Sequence, residues 1–484
     1  MNKRMITYIL GILLLVESGL MVLPTIVAYM YNEKAIFSFL ITIGILLVCG
    51  FILSLKKPEN KTIYSRDGFF IVSLGWIVLS LFGALPFRIS GQIPNYIDAL
   101  FETVSGFTTT GASILTNVEA LSKSLLFWRS FTHWIGGMGV LVFIMAVIPL
   151  ARGGGNLYLM RAESPGPDVG KLVPKSNSTA RILYGIYLGM TILEIILLRI
   201  GGMPLFDSIT LSFGTAGTGG FGILNTSIGS YNTFCQAVIT VFMIMFGVNF
   251  NMYFFLLCGR IRDVFKNEEL RTYLGIMFSS IIIIAINIRN LSESVFAAFH
   301  TSAFQVASVM TTTGYSTTDF NQWPELSRAI MLIVMCIGGC AGSTGGGFKV
   351  SRVLILLKSA KKELKKLSHP RSVNVITLDG KRVNDEVLHG TTVYFTIYII
   401  IMISSFLLVS ADKMDITTNM TAVIATLNNI GPGLGKVGPA GNFSEYNLFS
   451  KIIFIMNMLF GRLELFPMIL MFMPNIKSKK PKFN

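Results

Sequence analysis

Apolar stretches of about twenty residues recur along this chain, at about 5–30, 36–55, 69–89, 124–149, 182–200, 231–258, 272–289, 328–357, 391–411 and 448–473. At about 1.5 Å per residue, each reaches across the roughly 30 Å hydrocarbon core of a bilayer. Backbone groups in hydrocarbon must be satisfied within the segment, so the pattern predicts ten membrane-crossing helices. Composition agrees: 52% of residues are hydrophobic and 13% charged, against roughly 25% charged in a soluble domain. The first stretch follows Lys3 and Arg4 as a signal peptide would, but it is too long for a signal-peptide core and no small-residue cleavage site follows. It reads as a retained span.

The 40 Lys+Arg exceed the 25 Asp+Glu, a net charge of +15. Most bases fall on alternate connections: Lys3 and Arg4, Lys56 to Arg66, Arg152 to Arg181, Arg260 to Arg271, Arg352 to Arg382, and Lys477 to Lys482. The positive-inside rule places these connections and both termini in the cytoplasm. Orientation and contact with anionic lipid account for the surplus, so no nucleic-acid partner is expected. The five cysteines lie in or beside apolar stretches without Cys-x-x-Cys spacing, which indicates neither a disulfide framework nor a zinc site. No catalytic triad, carboxylate pair or metal-ligand cluster gathers on one side of the membrane, so an enzyme is not expected.

A short semi-apolar element recurs roughly every hundred residues, on the outer side of the predicted membrane. It runs from Asp98 to Thr109-Thr110-Gly111, from Asp207 to Thr218-Gly219, through Ser308 to Thr312-Thr313-Gly314, and from Asp415 to Asn429-Ile430-Gly431. Twelve to sixteen residues are too few to cross a bilayer, so the element must enter as a half-helix and return extended. Exposed backbone at that depth is tolerated where it lines a watery cavity. An acid near each half-helix start (Asp98, Asp207, Glu293, Asp415) suits the positive dipole end and leaves the negative end aimed at a central cation. Four such strands around one axis offer carbonyl oxygens that replace a hydration shell, with flanking threonines bracing them.

The fold class expected is an all-α polytopic membrane protein: two N-terminal spans (1–60), then four span, re-entrant pore hairpin, span repeats at 61–150, 151–258, 259–366 and 367–484 around a pseudo-fourfold pore. Two irregularities lie below the hairpins. Gly338 to Gly347 holds six glycines in ten residues inside the eighth apolar stretch, and at about 1 kcal/mol per Gly relative to Ala a continuous helix there is disfavoured. Arg462 lies deep in the tenth stretch, where an unpaired arginine costs at least about 2.5–3.5 kcal/mol. It should face a cavity or pair with a residue such as Glu464. Glu17, His133 and Glu194 are also expected to be buried, with internal pairing as their default.

These motifs, with His133-Trp-Ile-Gly-Gly-Met-Gly, Gly342-Ser-Thr-Gly-Gly-Gly-Phe-Lys349 and Gly461-Arg-Leu-Glu-Leu-Phe, closely resemble the Trk/Ktr/HKT superfamily of potassium transporters, in its TrkH branch, over nearly the whole chain. The resemblance implies potassium uptake as a homodimer in a bacterial plasma or inner membrane. It places Gly111, Gly219, Gly314 and Gly431 on four filter glycines whose backbone carbonyls bind potassium; relatives that favour sodium carry serine at the first. It makes the glycine-rich stretch, with Gly345, Gly346, Gly347 and Lys349, an intramembrane gate beside Arg462. It also implies regulation by a cytosolic TrkA-type nucleotide-binding ring, docked on the basic 358–389 and 150–181 loops. Nucleotide is expected on that partner alone, and no covalent cofactor. The competing reading is a sodium- or proton-coupled secondary transporter, but the units all start inside and run in one direction, whereas inverted repeats would alternate.

Overall fold

The computed structural model describes residues 2–60, 65–139, 176–371 and 374–472. The fourth apolar stretch beyond 139, most of the 150–181 loop and the basic tail from 473 lie outside them.

The chain opens with α1 (Lys3–Leu20), capped by the Asn2 side chain, which accepts from the Met5 amide at 3.2 Å, followed by α2 (Val22–Met30) and α3 (Ile36–Ser54). α1 and α3 cross at Gly11 and Gly50, where a Cβ on Gly11 would stand 2.8 Å from the Gly50 carbonyl oxygen. With no hydrophobic drive between helices in lipid, such small residues permit the close approach that holds them together. The turn after α2 supplies Glu33, whose carboxylate accepts from the amides of Lys123 (2.6 Å) and Ser124 (3.0 Å). It thereby caps a helix of the first pore unit with a charge suited to its positive end.

Four units follow. The first comprises α4 (Ser65–Gly83), α5 (Leu85–Ile89), the half-helix α6 (Tyr96–Phe107) and α7 (Lys123–Gly137). The second comprises α8 (Ser176–Ile200), the half-helix α9 (Leu205–Gly217), α10 (Thr233–Phe246) and α11 (Phe250–Leu257). The third comprises α12 (Ile261–Lys266), α13 (Glu268–Asn287), the half-helix α14 (Val295–Met310), α15 (Glu325–Cys336) and α16 (Val350–Ser368). A hairpin of β1 (Thr377–Leu378) and β2 (Lys381–Arg382) leads to the fourth, with α17 (Asp385–Val409), the half-helix α18 (Ile416–Leu427), α19 (Leu448–Arg462) and α20 (Phe466–Phe472). The half-helices have 12, 13, 16 and 12 residues, so each spans about 18–24 Å, short of the bilayer core. Asn95, Ser294 and Asp415 cap three of them through side-chain oxygens.

Several of the ten predicted crossings are interrupted in the structure rather than straight. Among the described residues, six helical segments are long and apolar enough to cross a membrane, and α10 with α11 make a seventh, bent by 93°. The long helices that precede the half-helices, α4 with α5, α8, α13 and α17, are among the six. The second helices are the interrupted ones: α7 ends at Gly137, α10 turns at Gly247, α15 gives way to the coil 337–349, and α19 breaks at Leu463 before α20. Hydropathy registers apolar length and is blind to such breaks. They create helix ends at membrane depth, whose unpaired carbonyls need partners from outside the helix.

Candidate ion pathway

Within two residues of its end, each half-helix is followed by a residue held in the left-handed region: Thr109 (φ 54°), Thr218 (φ 54°), Thr312 (φ 61°) and Asn429 (φ 55°). Two positions on stands a glycine with positive φ: Gly111 (79°), Gly220 (72°), Gly314 (88°) and Gly431 (95°). Steric crowding makes such angles costly for other residues. The backbone therefore shifts the second strand by one relative to the sequence reading: Gly220, not Gly219, is equivalent to Gly111, Gly314 and Gly431.

Contacts between strands enforce the same register. A Cβ on Gly111 would overlap the carbonyl oxygen of Gly219, one on Gly220 that of Thr313, and one on Gly314 that of Ile430. On Gly431 it would lie 2.9 Å from the oxygen of Thr110, so the fourth junction is the loosest. The order one to two to three to four to one closes a cycle, and every oxygen belongs to the residue just before a ring glycine. Thr110, Gly219, Thr313 and Ile430 thus present four carbonyls around one axis. The outer segments link in the same order. Val118 N–H donates to Asn225 Oδ1 (2.8 Å), Ile228 N–H to Ser316 O (3.0 Å), Gly435 N–H to Asn321 Oδ1 (2.9 Å) and Phe443 N–H to Ser113 O (2.8 Å).

The predicted bracing by threonine hydroxyls is uneven. Thr110 bonds Thr108 at 2.8 Å and Thr313 bonds Thr311 at 2.7 Å, while Thr218 donates to Gly217 O at 2.6 Å. Thr109 Oγ1 is buried with no hydrogen-bond partner among the described residues. In the fourth strand the Asn429 amide takes the bracing part, donating to Thr110 Oγ1 and to Met458 O, both at 2.9 Å. Behind strands one and two, buried Arg129 donates to Glu102 at 2.5 Å and to Gly222 O at 2.9 Å, and stacks 3.5 Å from the Phe221 ring. His133 lies against Gly219 and bonds Gly106 O through Nδ1 at 2.8 Å. Glu17 is buried with neither carboxyl oxygen hydrogen-bonded among the described residues, so the expected pairing is missing there.

Beneath the ring lies the glycine-rich coil. Gly346 N–H donates to Thr312 Oγ1 at 2.7 Å, and added Cβ atoms on Gly345 and Gly346 would come within 2.9 Å of Thr311 O and 2.7 Å of Asn428 O. The coil also answers the broken helices. Cys340 N–H donates to Gly247 O (2.9 Å), and the Thr344 hydroxyl to Phe246 O (3.2 Å). Arg462 donates to Thr344 O at 2.7 Å, to Gly136 O at 2.5 Å and to Gly137 O at 2.7 Å. One guanidinium thus ties the coil to the end of α7, where a cation suits the negative dipole end. Glu464, the alternative partner for Arg462, pairs with Arg352. Lys349 is buried and donates to Gly345 O, and Gly347 has a φ of 73°. The sequence reading missed Gly220, Thr344 and the carbonyls of Gly136 and Gly137; the Thr-x-Gly spacing shared by three of the strands pointed to the first.

Comparison with known proteins places this arrangement. A family model for TrkH, described as a cation transport protein, matches residues 35–481. The Trk system potassium uptake protein TrkH of Salmonella typhimurium is 39% identical over 98% of this chain and 99% of its own length. TrkH of Halomonas elongata is 33% identical over 98% of this chain and 99% of its own. The crystal structure of the potassium transporter TrkH from Vibrio parahaemolyticus superposes with a TM-score of 0.88 at 35% identity, covering 98% of this chain and 99% of that one. A fold, a register and a sequence likeness that all run the length of the molecule have one conclusion: this chain belongs to the TrkH family of cation transport proteins.

Proposed function

We propose that this chain takes up potassium across the cell membrane through the ring of Thr110, Gly219, Thr313 and Ile430, with the 337–349 coil and Arg462 as the gate beneath it. The observation that carries the reading is the closed cycle of four glycine-to-carbonyl contacts. Carbonyl oxygens held at fixed spacing replace the hydration shell of a cation. The names of the relatives as potassium uptake proteins support the choice of ion, as does glycine at 111, where sodium-favouring relatives carry serine. On this reading the coil, packed against Thr311 and Asn428, obstructs the pathway with backbone, and Arg462 adds positive charge that opposes a cation. The test is rubidium flux into liposomes containing the chain, with sodium competition. Wild type should favour rubidium and potassium over sodium, and Gly111→Ser should shift the preference towards sodium. An unchanged preference in folded Gly111→Ser protein contradicts the filter.

The regulatory reading places a TrkA-type nucleotide-binding ring on the cytoplasmic face, with nucleotide on the ring and the chain as a homodimer in a bacterial inner membrane, both termini cytoplasmic. Support comes from the relatives' names as members of a Trk system and from α16, which carries Lys361, Lys365 and Lys366 exposed. Neutralising these with Lys362 should weaken ring binding in a salt-dependent way. Equal binding at low and high salt contradicts the docking surface.

A further inference from the structure

The coil beneath the ring is held from below by two adjacent acids at the start of α13 that face different partners. Glu269 is buried at 4% exposure, and one of its oxygens, Oε1, accepts from Ala341 N–H at 2.7 Å and from Ser351 N–H at 3.1 Å. Ala341 lies inside the coil and Ser351 in the first turn of α16, so a single carboxylate oxygen joins the two sides of the coil at its base. The charge suits the site, because the first amides of α16 lack helical partners.

Glu268 faces the cytoplasmic apparatus. Its Oε1 accepts from Asp379 N–H at 3.1 Å, its own amide donates to Asp379 Oδ1 at 2.6 Å, and its Oε2 pairs with Lys358. Lys358 also donates to Thr377 O at 2.7 Å, joining the β1–β2 hairpin to α16. Asp379 and Gly380 form the hairpin turn with φ of 52° and 75°, the Asp-Gly pattern of a tight two-residue turn. Ser351 and Lys358 lie two turns apart on α16, and α13 grips both. A displacement of α16 or the hairpin from the cytoplasm must therefore either break these bonds or carry the start of α13, and with it the clasp on the coil.

We propose that Glu269 is a positioning residue that clasps the coil closed, and that Glu268 with Lys358 and Asp379 is the joint through which movement of α16 or the hairpin loosens that clasp. The proposal rests on the coil being the gate. Cys340, buried within the coil, provides a readout independent of flux. The experiment uses the full chain in liposomes with Cys340 as its sole cysteine, measuring rubidium flux and the rate of labelling by a thiol reagent from the cytoplasmic side. Glu269→Gln should raise both by roughly tenfold, the scale set by loss of a hydrogen-bonded charge, with potassium preference over sodium unaltered. Glu269→Asp should fall between Gln and wild type. Glu268→Gln with Lys358→Met, at partly exposed positions, should raise labelling severalfold, and adding Glu269→Gln should then raise it by less than the tenfold seen alone. Wild-type flux and labelling in Glu269→Gln, or independent multiplicative effects, overturn the proposal. Where Glu269→Gln does not fold, wild-type labelling in the Glu268→Gln, Lys358→Met variant overturns it. Arg462→Ala run alongside separates the two levels. If it raises flux while Glu269→Gln does not, the clasp alone falls; if neither does, the coil is not the gate.

Discussion

The ring and the coil beneath it are neighbours built on opposite principles. The ring repeats one backbone device four times: a left-handed residue, a glycine two positions later and a carbonyl against the next strand. The coil occurs in the third unit, and charged side chains hold it: Arg462 on Thr344, Lys349 on Gly345 and Glu269 on Ala341. On the proposed reading of ring as filter and coil as gate, the difference teaches how the two tasks separate. Discriminating between cations needs oxygens at matched distances, which rigid backbone around an axis supplies. Obstructing a pathway needs one movable segment, and charge-assisted bonds in a low-dielectric interior are strong yet can be broken by a small displacement.

The largest effect should come from breaking the ring. Gly220→Ala places a Cβ onto the backbone oxygen of Thr313 at a positive φ, and should lower rubidium uptake into liposomes roughly tenfold to a hundredfold. Gly219→Ala instead meets the buried His133 ring rather than the backbone of the next strand, so its loss should be smaller once His133→Ala removes that overlap. The reverse order would return the ring position to Gly219. Next comes the coil. Arg462→Ala removes three bonds that hold the coil to α7, and should raise basal flux about tenfold with the potassium-to-sodium ratio unaltered. A changed ratio with unchanged flux would merge the two regions into one. The smallest effect is expected at the loosest junction. Asn429→Thr gives the fourth strand the residue found in the other three but removes the amide that reaches Thr110 and Met458. The ratio measured by competition should move by roughly severalfold, with basal flux unmoved.

Much of this architecture is legible in the sequence because it follows from solvent and length. Apolar stretches of membrane length mark the spans, and hairpins too short to cross mark the re-entrant elements. Glycine density marks the coil at 338–347. What escapes the sequence depends on backbone angles and on distant partners. Gly219 and Gly220 are separated in the sequence by the Thr-x-Gly spacing alone, and the φ of 72° at Gly220 decides between them. The break at Gly247 hides in an apolar run, because hydropathy is the same for a straight helix and one bent by 93°. Glu102 and Arg129 are 27 positions apart in sequence and meet once α6 packs on α7. Arg462 is expected beside the glycine-rich stretch and bonds it at Thr344, yet its further bonds to Gly136 and Gly137, more than three hundred residues away, leave no mark in the sequence. The β1–β2 hairpin lies in what reads as a basic loop, and its bond to Glu268 leaves no mark in the sequence.

The central claim is that cations rest among the oxygens of Thr110, Gly219, Thr313 and Ile430, one residue before each ring glycine. Anomalous diffraction from crystals grown in rubidium tests it most directly. The account predicts a peak on the axis of the ring, bounded by those four oxygens, and its loss in Gly220→Ala crystals that otherwise superpose on wild type. A peak elsewhere in the molecule with none at the ring, or one that survives Gly220→Ala undisturbed, would contradict it.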